Sequence, residues 1–288
     1  MANEKQVQDM VQSLTRKGKS KTKVAALCFL ALAVVGAIVY CLAGGGAKED
    51  IRKLTPGERA VKILKRLPAE TREAWLCETL ELVYMEDNSN ALKGDGHARQ
   101  GALYMGSDGK SHDFQAAITK GGDKLAALNG CLSAGADKMS IVRAFPALVE
   151  KLCLRIAKRH LDSLSAYRRE AWLAEVCGLY HSPNGTRSAY GEVRTLKTGG
   201  LFPVSYISID SNSGVFCDTS GKVHSVSEDD GMWNSIQSRW ITLYICYNLI
   251  GGDKIADLFR STVSSLRSRN PLAAPYKPKG LPSLLYKR

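Results

Sequence analysis

Arg72-Glu73-Ala74-Trp75-Leu76 recurs unchanged as Arg169-Glu170-Ala171-Trp172-Leu173. The register holds at Leu64/Leu161, Leu67/Leu164, Ala69/Ala166 and Glu78/Glu175, a constant offset of 97. Further on, Leu103-Tyr104 through Gly109-Lys110-Ser111-His112 is echoed by Val215-Phe216 through Gly221-Lys222-Val223-His224 at an offset of 112. Gly121-Gly122-Asp123-Lys124-Leu125-Ala126 returns as Gly251-Gly252-Asp253-Lys254-Ile255-Ala256 at 130. Three blocks in one order predict a tandem duplication, and the growing offset puts the second copy's extra residues between blocks, where loops lie.

The pentapeptide block reads as an amphipathic helix from Ala69 to about Met85, with a partner from Asp162 to Tyr180. Ahead of it, Thr55-Pro56-Gly57-Glu58 has a capping Thr, a Pro at the first helical position and a Glu to close a capping box. Asp108-Gly109-Lys110 and Ser220-Gly221-Lys222 are turn sequences between β-prone residues, so each second block predicts a hairpin. Each Gly-Gly-Asp-Lys opens a helix. A helical stretch from Asp137 to Leu161, kinked at Pro146, joins the copies. Residues 201–209 and 214–217 read as strands, and Met232 to Ile250 as a buried helix. The expected fold is α+β and helix-rich: an N-terminal transmembrane helix followed by a two-lobed soluble body.

The expected organisation is a basic segment 1–23, a transmembrane helix 24–43, a linker 44–54, lobe one at 55–135, a connecting helical segment 136–160, lobe two at 161–268 and a basic Pro-rich tail 269–288. Val24 to Ala43 is twenty residues without a charge, the length that spans a bilayer's hydrocarbon core. The polar stretch before it and its length favour a signal-anchor over a cleaved leader, for which Cys41-Leu42-Ala43 would be the cleavage site. Five basic residues between Arg16 and Lys23 favour a cytosolic N-terminus and a body outside the cytosol.

The chain's net charge of +12 is concentrated at its ends: +4 in 1–23 and +6 in 267–288, which leaves about +2 for the body. A near-neutral body is not a polyanion-binding face, whereas the ends suit anionic lipid or nucleic acid. Six cysteines lie in the body, and both disulfide pairing and buried free thiols fit them. No Cys-x-x-Cys occurs, and no metal ligand set or cofactor fingerprint is legible.

Trp75 and Trp172 read first as core residues on an apolar helix face, with Arg and Glu on the polar face. Their functional alternative is a pair of platforms for a partner helix or a glycan ring. Glu78 and Glu175 follow three residues later, and a carboxyl against an indole is the setting of a general acid for glycoside cleavage. His112 and His224 read as half-exposed strand residues, and Asn184-Gly185-Thr186 is a formal glycosylation sequon. The tail offers Lys277, Lys279, Leu284, Leu285, Tyr286, Lys287 and Arg288 as a basic, apolar-ended binding segment.

With no catalytic constellation legible, the leading expectation is a single-pass membrane-anchored structural or interaction protein of an envelope-associated assembly, such as a secretion, conjugation or virion membrane complex. Its partners would be the membrane and other proteins, with room for an oligomer. One alternative is a membrane-tethered cell-wall glycan hydrolase using Glu78 or Glu175. Another is a cytosol-facing membrane protein that binds nucleic acid through its basic ends.

Overall fold

The computed structural model describes residues 54–92, 97–181, 191–196, 201, 203–209, 214–225 and 237–271, with the backbone alone at 191–196, 205–209 and 237–238. The apolar run 24–43, the basic segment 1–23, the sequon and the tail from 272 onward, with all its candidate binding residues, lie outside the described residues. From Thr55 onward the described residues belong to one compact unit. This unit is α+β and helix-rich. Among the described residues no helix is long and apolar enough to cross a membrane.

Helix α1 (Pro56–Arg66) starts where Thr55 and Glu58 close their capping box, with Thr55 Oγ1 accepting from Glu58 N and Glu58 Oε2 from Thr55 N. Helix α2 (Ala69–Thr79) carries the first pentapeptide. A hairpin of β1 (Leu103–Met105) and β2 (Ser111–Asp113) leads into α3 (Phe114–Thr119) and α4 (Gly122–Ser133). After α5 (Lys138–Arg143) come the long α6 (Pro146–Ser163) and α7 (Ala166–Val176), which holds the second pentapeptide. Strands β3 (Gly191–Leu196) and β4 (Val204–Ile209) pair antiparallel, as do β5 (Val215–Cys217) and β6 (Val223–Ser225). The described chain closes with α8 (Gln237–Ile250), α9 (Gly252–Ala256), a 3-10 turn at Asp257–Phe259 and α10 (Arg260–Arg269).

Helix α6 is the organising element. Val149, Leu152, Cys153, Ile156, Ala157, His160 and Leu161 are buried along it at alternating three- and four-residue steps, a stripe wide enough to receive neighbours from several directions. It packs against α2, α5, α8, α9 and β1. The buried residues of 55–135 and of 161–268 thus join a single hydrophobic core. Cys77, Cys153 and Cys246 meet inside it, and all six body cysteines are free thiols, with Cys246 beside Cys153.

Several element boundaries differ from the sequence expectation for local reasons. The helix expected to reach Met85 stops at Thr79. Leu82 N donates to Cys77 O at 2.7 Å and Glu81 N to Glu78 O at 3.1 Å, a Schellman ending with Glu81 at φ 56°. Helix α7 ends the same way, with Leu179 N to Ala174 O at 2.7 Å, Gly178 N to Glu175 O at 3.0 Å, and Gly178 at φ 66°. The chain then leaves in an extended path, with Tyr84 bridging Leu103 and His181 bridging Val215. Pro146 does not kink a continuous helix. It occupies the first turn of α6, where its missing N–H costs nothing, and Ala144–Phe145 separate that helix from α5. Asp162 belongs to the end of α6, and Ser165 caps α7. The strand Gly191–Leu196 carries no sequence signal that the expectation used.

The pentapeptide glutamates are buried, not on the polar face. Glu73 is 9% exposed and Glu170 6%. Glu73 accepts from Ser107 N at 2.9 Å and Ser107 Oγ at 2.6 Å; Glu170 accepts from Thr219 N at 2.9 Å and Thr219 Oγ1 at 2.7 Å. Ser107 and Thr219 are the first loop residues of the two hairpins. Each is a three-residue loop closed by a glycine with positive φ: Gly109 N bonds Gly106 O at 2.9 Å, and Gly221 N bonds Asp218 O at 3.0 Å. A helix carboxylate therefore clamps each hairpin turn through one backbone and one hydroxyl donor.

Two outcomes follow for stability. Glu170→Ala leaves a half-buried N–H and hydroxyl without their acceptor and should cost about 1–3 kcal/mol in urea unfolding, with a coupling of about 1–2 kcal/mol to Thr219→Val in a double-mutant cycle. Gly178→Ala forces a side chain into the left-handed region and should cost about 1–2 kcal/mol.

Candidate functional site

Helix α2 places Trp75 and Glu78 one turn apart, so both face the same side. That side opens into a cleft of about 560 Å³ lined by Trp75, Glu78, Glu81, His97, Phe114 and Lys138, together with apolar side chains from α3 and α4. The Schellman turn after α2 brings Glu81 to the rim, and Asp137, capping α5 through Ser140 N at 2.7 Å, sets the place of Lys138. Burial pushes the Glu78 carboxyl above its ordinary value, with His97 and Lys138 offsetting only part of the rise. Among the described residues no side chain hydrogen-bonds Glu78. Trp75 itself is 4% exposed, so it serves as the wall of the cleft and not as an outward platform.

The corresponding place on α7 is filled. Trp172 is fully buried, with its ring 6.5 Å from that of Tyr244. Glu175 is 5% exposed, and the Tyr244 hydroxyl donates to its carboxylate. Burial pushes Glu175 up to about 8, the tyrosine hydrogen bond opposing the rise only partly. Phe114 and Tyr244 each stand seven residues before the Gly-Gly pair. One position therefore presents a bare ring to Glu78 and a phenol to Glu175.

The two hairpin histidines meet carboxylates. His112 Nε2 lies 3.0 Å from Asp108, and His224 Nε2 lies 2.7 Å from Asp218. The aspartate has changed place between the loops: Asp108 aligns with Ser220, and Asp218 with Gly106. A Cβ added at Gly106 would come within 2.7 Å of both Asp108 Oδ1 and the His112 ring. Gly106 thus leaves the room that the Asp108 side chain needs. Tyr104 stacks on His112 at 5.3 Å and Phe216 on His224 at 5.4 Å, which seats both imidazoles against the core.

His160 on α6 is 1% exposed, and neither ring nitrogen has a hydrogen-bond partner among the described residues. Burial lowers it to about 3, helped by the nearby charges of Arg239 and Arg159, so the imidazole is neutral. Among the described residues no group of three or more His, Cys, Asp or Glu side chains could hold a metal ion.

Of the residues singled out in the sequence, Trp75 and Glu78 come together at the cleft, and Trp172 and Glu175 come together inside the core. Glu81, His97, Phe114 and Lys138 were not anticipated there, because they arrive from separate loops and helices with no common spacing. The clamping role of Glu73 and Glu170 did carry a signal: a solvated glutamate has little reason to be identical in both segments. Compared with protein-family models, curated proteins and solved structures, the chain matches none.

Glu175 and His160 impose opposite pH dependences. Between its ordinary 4.5 and about 8, folded Glu175 keeps a proton that the unfolded chain has lost, so stability falls as pH rises through that window. Between 6.5 and about 3 the unfolded chain binds a proton that folded His160 refuses, so stability falls as pH drops through that window. In urea melts from pH 4 to 8.5, Glu175→Gln should flatten the alkaline decline and His160→Leu the acid one.

Proposed function

We propose that this chain is a single-pass membrane-anchored interaction protein of an envelope-associated assembly, its body a tandem duplication of one helix, hairpin and helix unit. The observation that carries this reading is how the body uses its reactive groups. Glu73 and Glu170 clamp hairpin turns, Glu175 is enclosed with Tyr244, and both histidine–aspartate pairs brace loops. Groups committed to holding the fold are not placed to act on a substrate. Among the described residues a walled cleft lies over Trp75, a feature suited to receiving part of a partner.

The apolar run 24–43 supports the anchor, and the basic residues before it support a cytosolic N-terminus with the body outside. The matched pairs Glu73–Ser107 and Glu170–Thr219, the two Schellman endings and the two hairpin loops support the duplication. Basic tail residues supply a further contact with anionic lipid or a partner's acidic surface.

A glycan hydrolase is the second reading. It is favoured by a raised carboxyl at Glu78 in a cleft that also holds Glu81, since glycoside cleavage uses two carboxyl groups in one site. That reading predicts release of reducing ends from cell-wall glycan that Glu78→Gln abolishes.

For the leading reading, a reporter active only in the cytosol, fused after Arg288, should stay silent, and the detergent-extracted chain should run in a complex larger than its own micelle. An active reporter overturns the orientation. A chain that runs alone overturns the interaction reading.

A further inference from the structure

Helix α1 has one apolar and one basic side. Ala60, Leu64 and Leu67 are buried at steps of four and three, and the helix packs on α4 and α5. Glu58, Arg59, Lys62, Lys65 and Arg66 fall on the opposite side, four cations to one carboxylate. That carboxylate is committed to the cap, since Glu58 Oε2 accepts from both the N–H and the hydroxyl of Thr55 at 2.8 Å. Lys65 and Arg66 are exposed. Two further cations reach the end of the helix: Arg72 donates to Lys65 O at 3.2 Å, and Lys124 to Arg66 O at 3.3 Å. The carboxylates that α2 and α4 place at this end are Glu70, paired with Lys120, and Asp123. The small net charge of the body therefore hides a local surplus of positive charge on α1.

The place of this face in the chain selects its partner. Residues 44–54 join the uncharged run 24–43 to Thr55, and eleven residues reach at most about 40 Å. A tether that short makes contact with the surface holding the run an intramolecular event, at an effective concentration of about a millimolar. We propose that the outward face of α1, with Arg72 and Lys124 at its end, docks on the anionic headgroups of the bilayer that holds residues 24–43 and so sets the body against the membrane surface. The contact rests on the anchor of the leading reading and not on its orientation. Ammonium and guanidinium groups bind phosphate oxygens by charge-assisted hydrogen bonds. Because its apolar side is spent on α4 and α5, α1 docks by charge and does not sink into the acyl boundary as a free amphipathic helix does. Its residues belong to the folded body and are distinct from the basic ends 1–23 and 267–288.

The test reconstitutes the full chain in nanodiscs of phosphatidylcholine, alone or with about a third phosphatidylglycerol, and follows lysine acetylation by mass spectrometry. Lys65 and Lys124 should react at least about fivefold more slowly in the anionic discs, while Lys222 on the second hairpin reacts alike in both. Salt at about 0.5 M should remove the difference. In the double variant Lys65→Glu/Arg66→Glu, Lys124 should react in anionic discs at the rate it shows in zwitterionic ones. The lipid and salt dependence of the parent chain decides the case without any substitution, should the double variant fail to fold.

Equal rates in the two discs, an equal slowing of Lys222, protection that survives high salt, or unchanged protection in a folded double variant would overturn the docking face. Equal protection by an oligothymidylate in zwitterionic discs would assign the cations to nucleic acid and overturn the bilayer as partner. Removing residues 272–288 should leave the protection of Lys65 unchanged, and its loss would make the basic tail the contact in place of α1. The two levels separate: a chain released from vesicles by alkaline carbonate loses the anchor, whereas one retained there with lipid-independent labelling keeps the anchor and loses the docking face.

Discussion

A carboxylate buried on a helix must be given hydrogen-bond donors, and in this body the donors come from the turn of a hairpin more than thirty residues away. That requirement fixes more than one contact. Glu73 cannot be satisfied unless Ser107 presents its N–H and hydroxyl together, so the loop must close in one conformation and the strands must pair in one register. The same holds for Glu170 and Thr219. With the turns fixed, Tyr104 and Phe216 are carried into the core beneath their histidines, and the strand edges meet Tyr84 and His181. Around these two clamps α6 supplies the common apolar surface.

The histidine–aspartate pairs show how one contact can be kept while its sequence position moves. In one loop the aspartate follows the clamping residue, and in the other it precedes it. Each still reaches Nε2 of the histidine on the opposite strand. The exchange works because glycine occupies the first position where aspartate occupies the third. Selection on a physical contact, not on a residue at a fixed place, would leave this trace in the proposed duplication.

The asymmetry between the two tryptophan helices follows from one side chain that each meets. Tyr244 brings its hydroxyl to Glu175, whereas Phe114, at the matching position, has none to bring to Glu78 in the cleft. The second segment's longer helix α8 also packs on α6 and β4.

The sequence by itself determined the elements that rest on local rules: the capping box at Thr55, the amphipathic helices around the two tryptophans, and the glycine-closed hairpin turns. It also carried the ordered pattern of matching blocks and the uncharged run 24–43. It misplaced helix ends, because Glu81 adopts a left-handed conformation that no propensity signals and because Pro146 was as compatible with a kink as with a first turn. Only the tertiary structure decided that the pentapeptide glutamates face inward, since an Arg-Glu pair on an amphipathic helix reads as solvated until its partner loop is known. It alone decided that Glu78 is open and Glu175 closed, because the side chain that makes the difference belongs to another helix and touches the carboxylate only after the chain has folded.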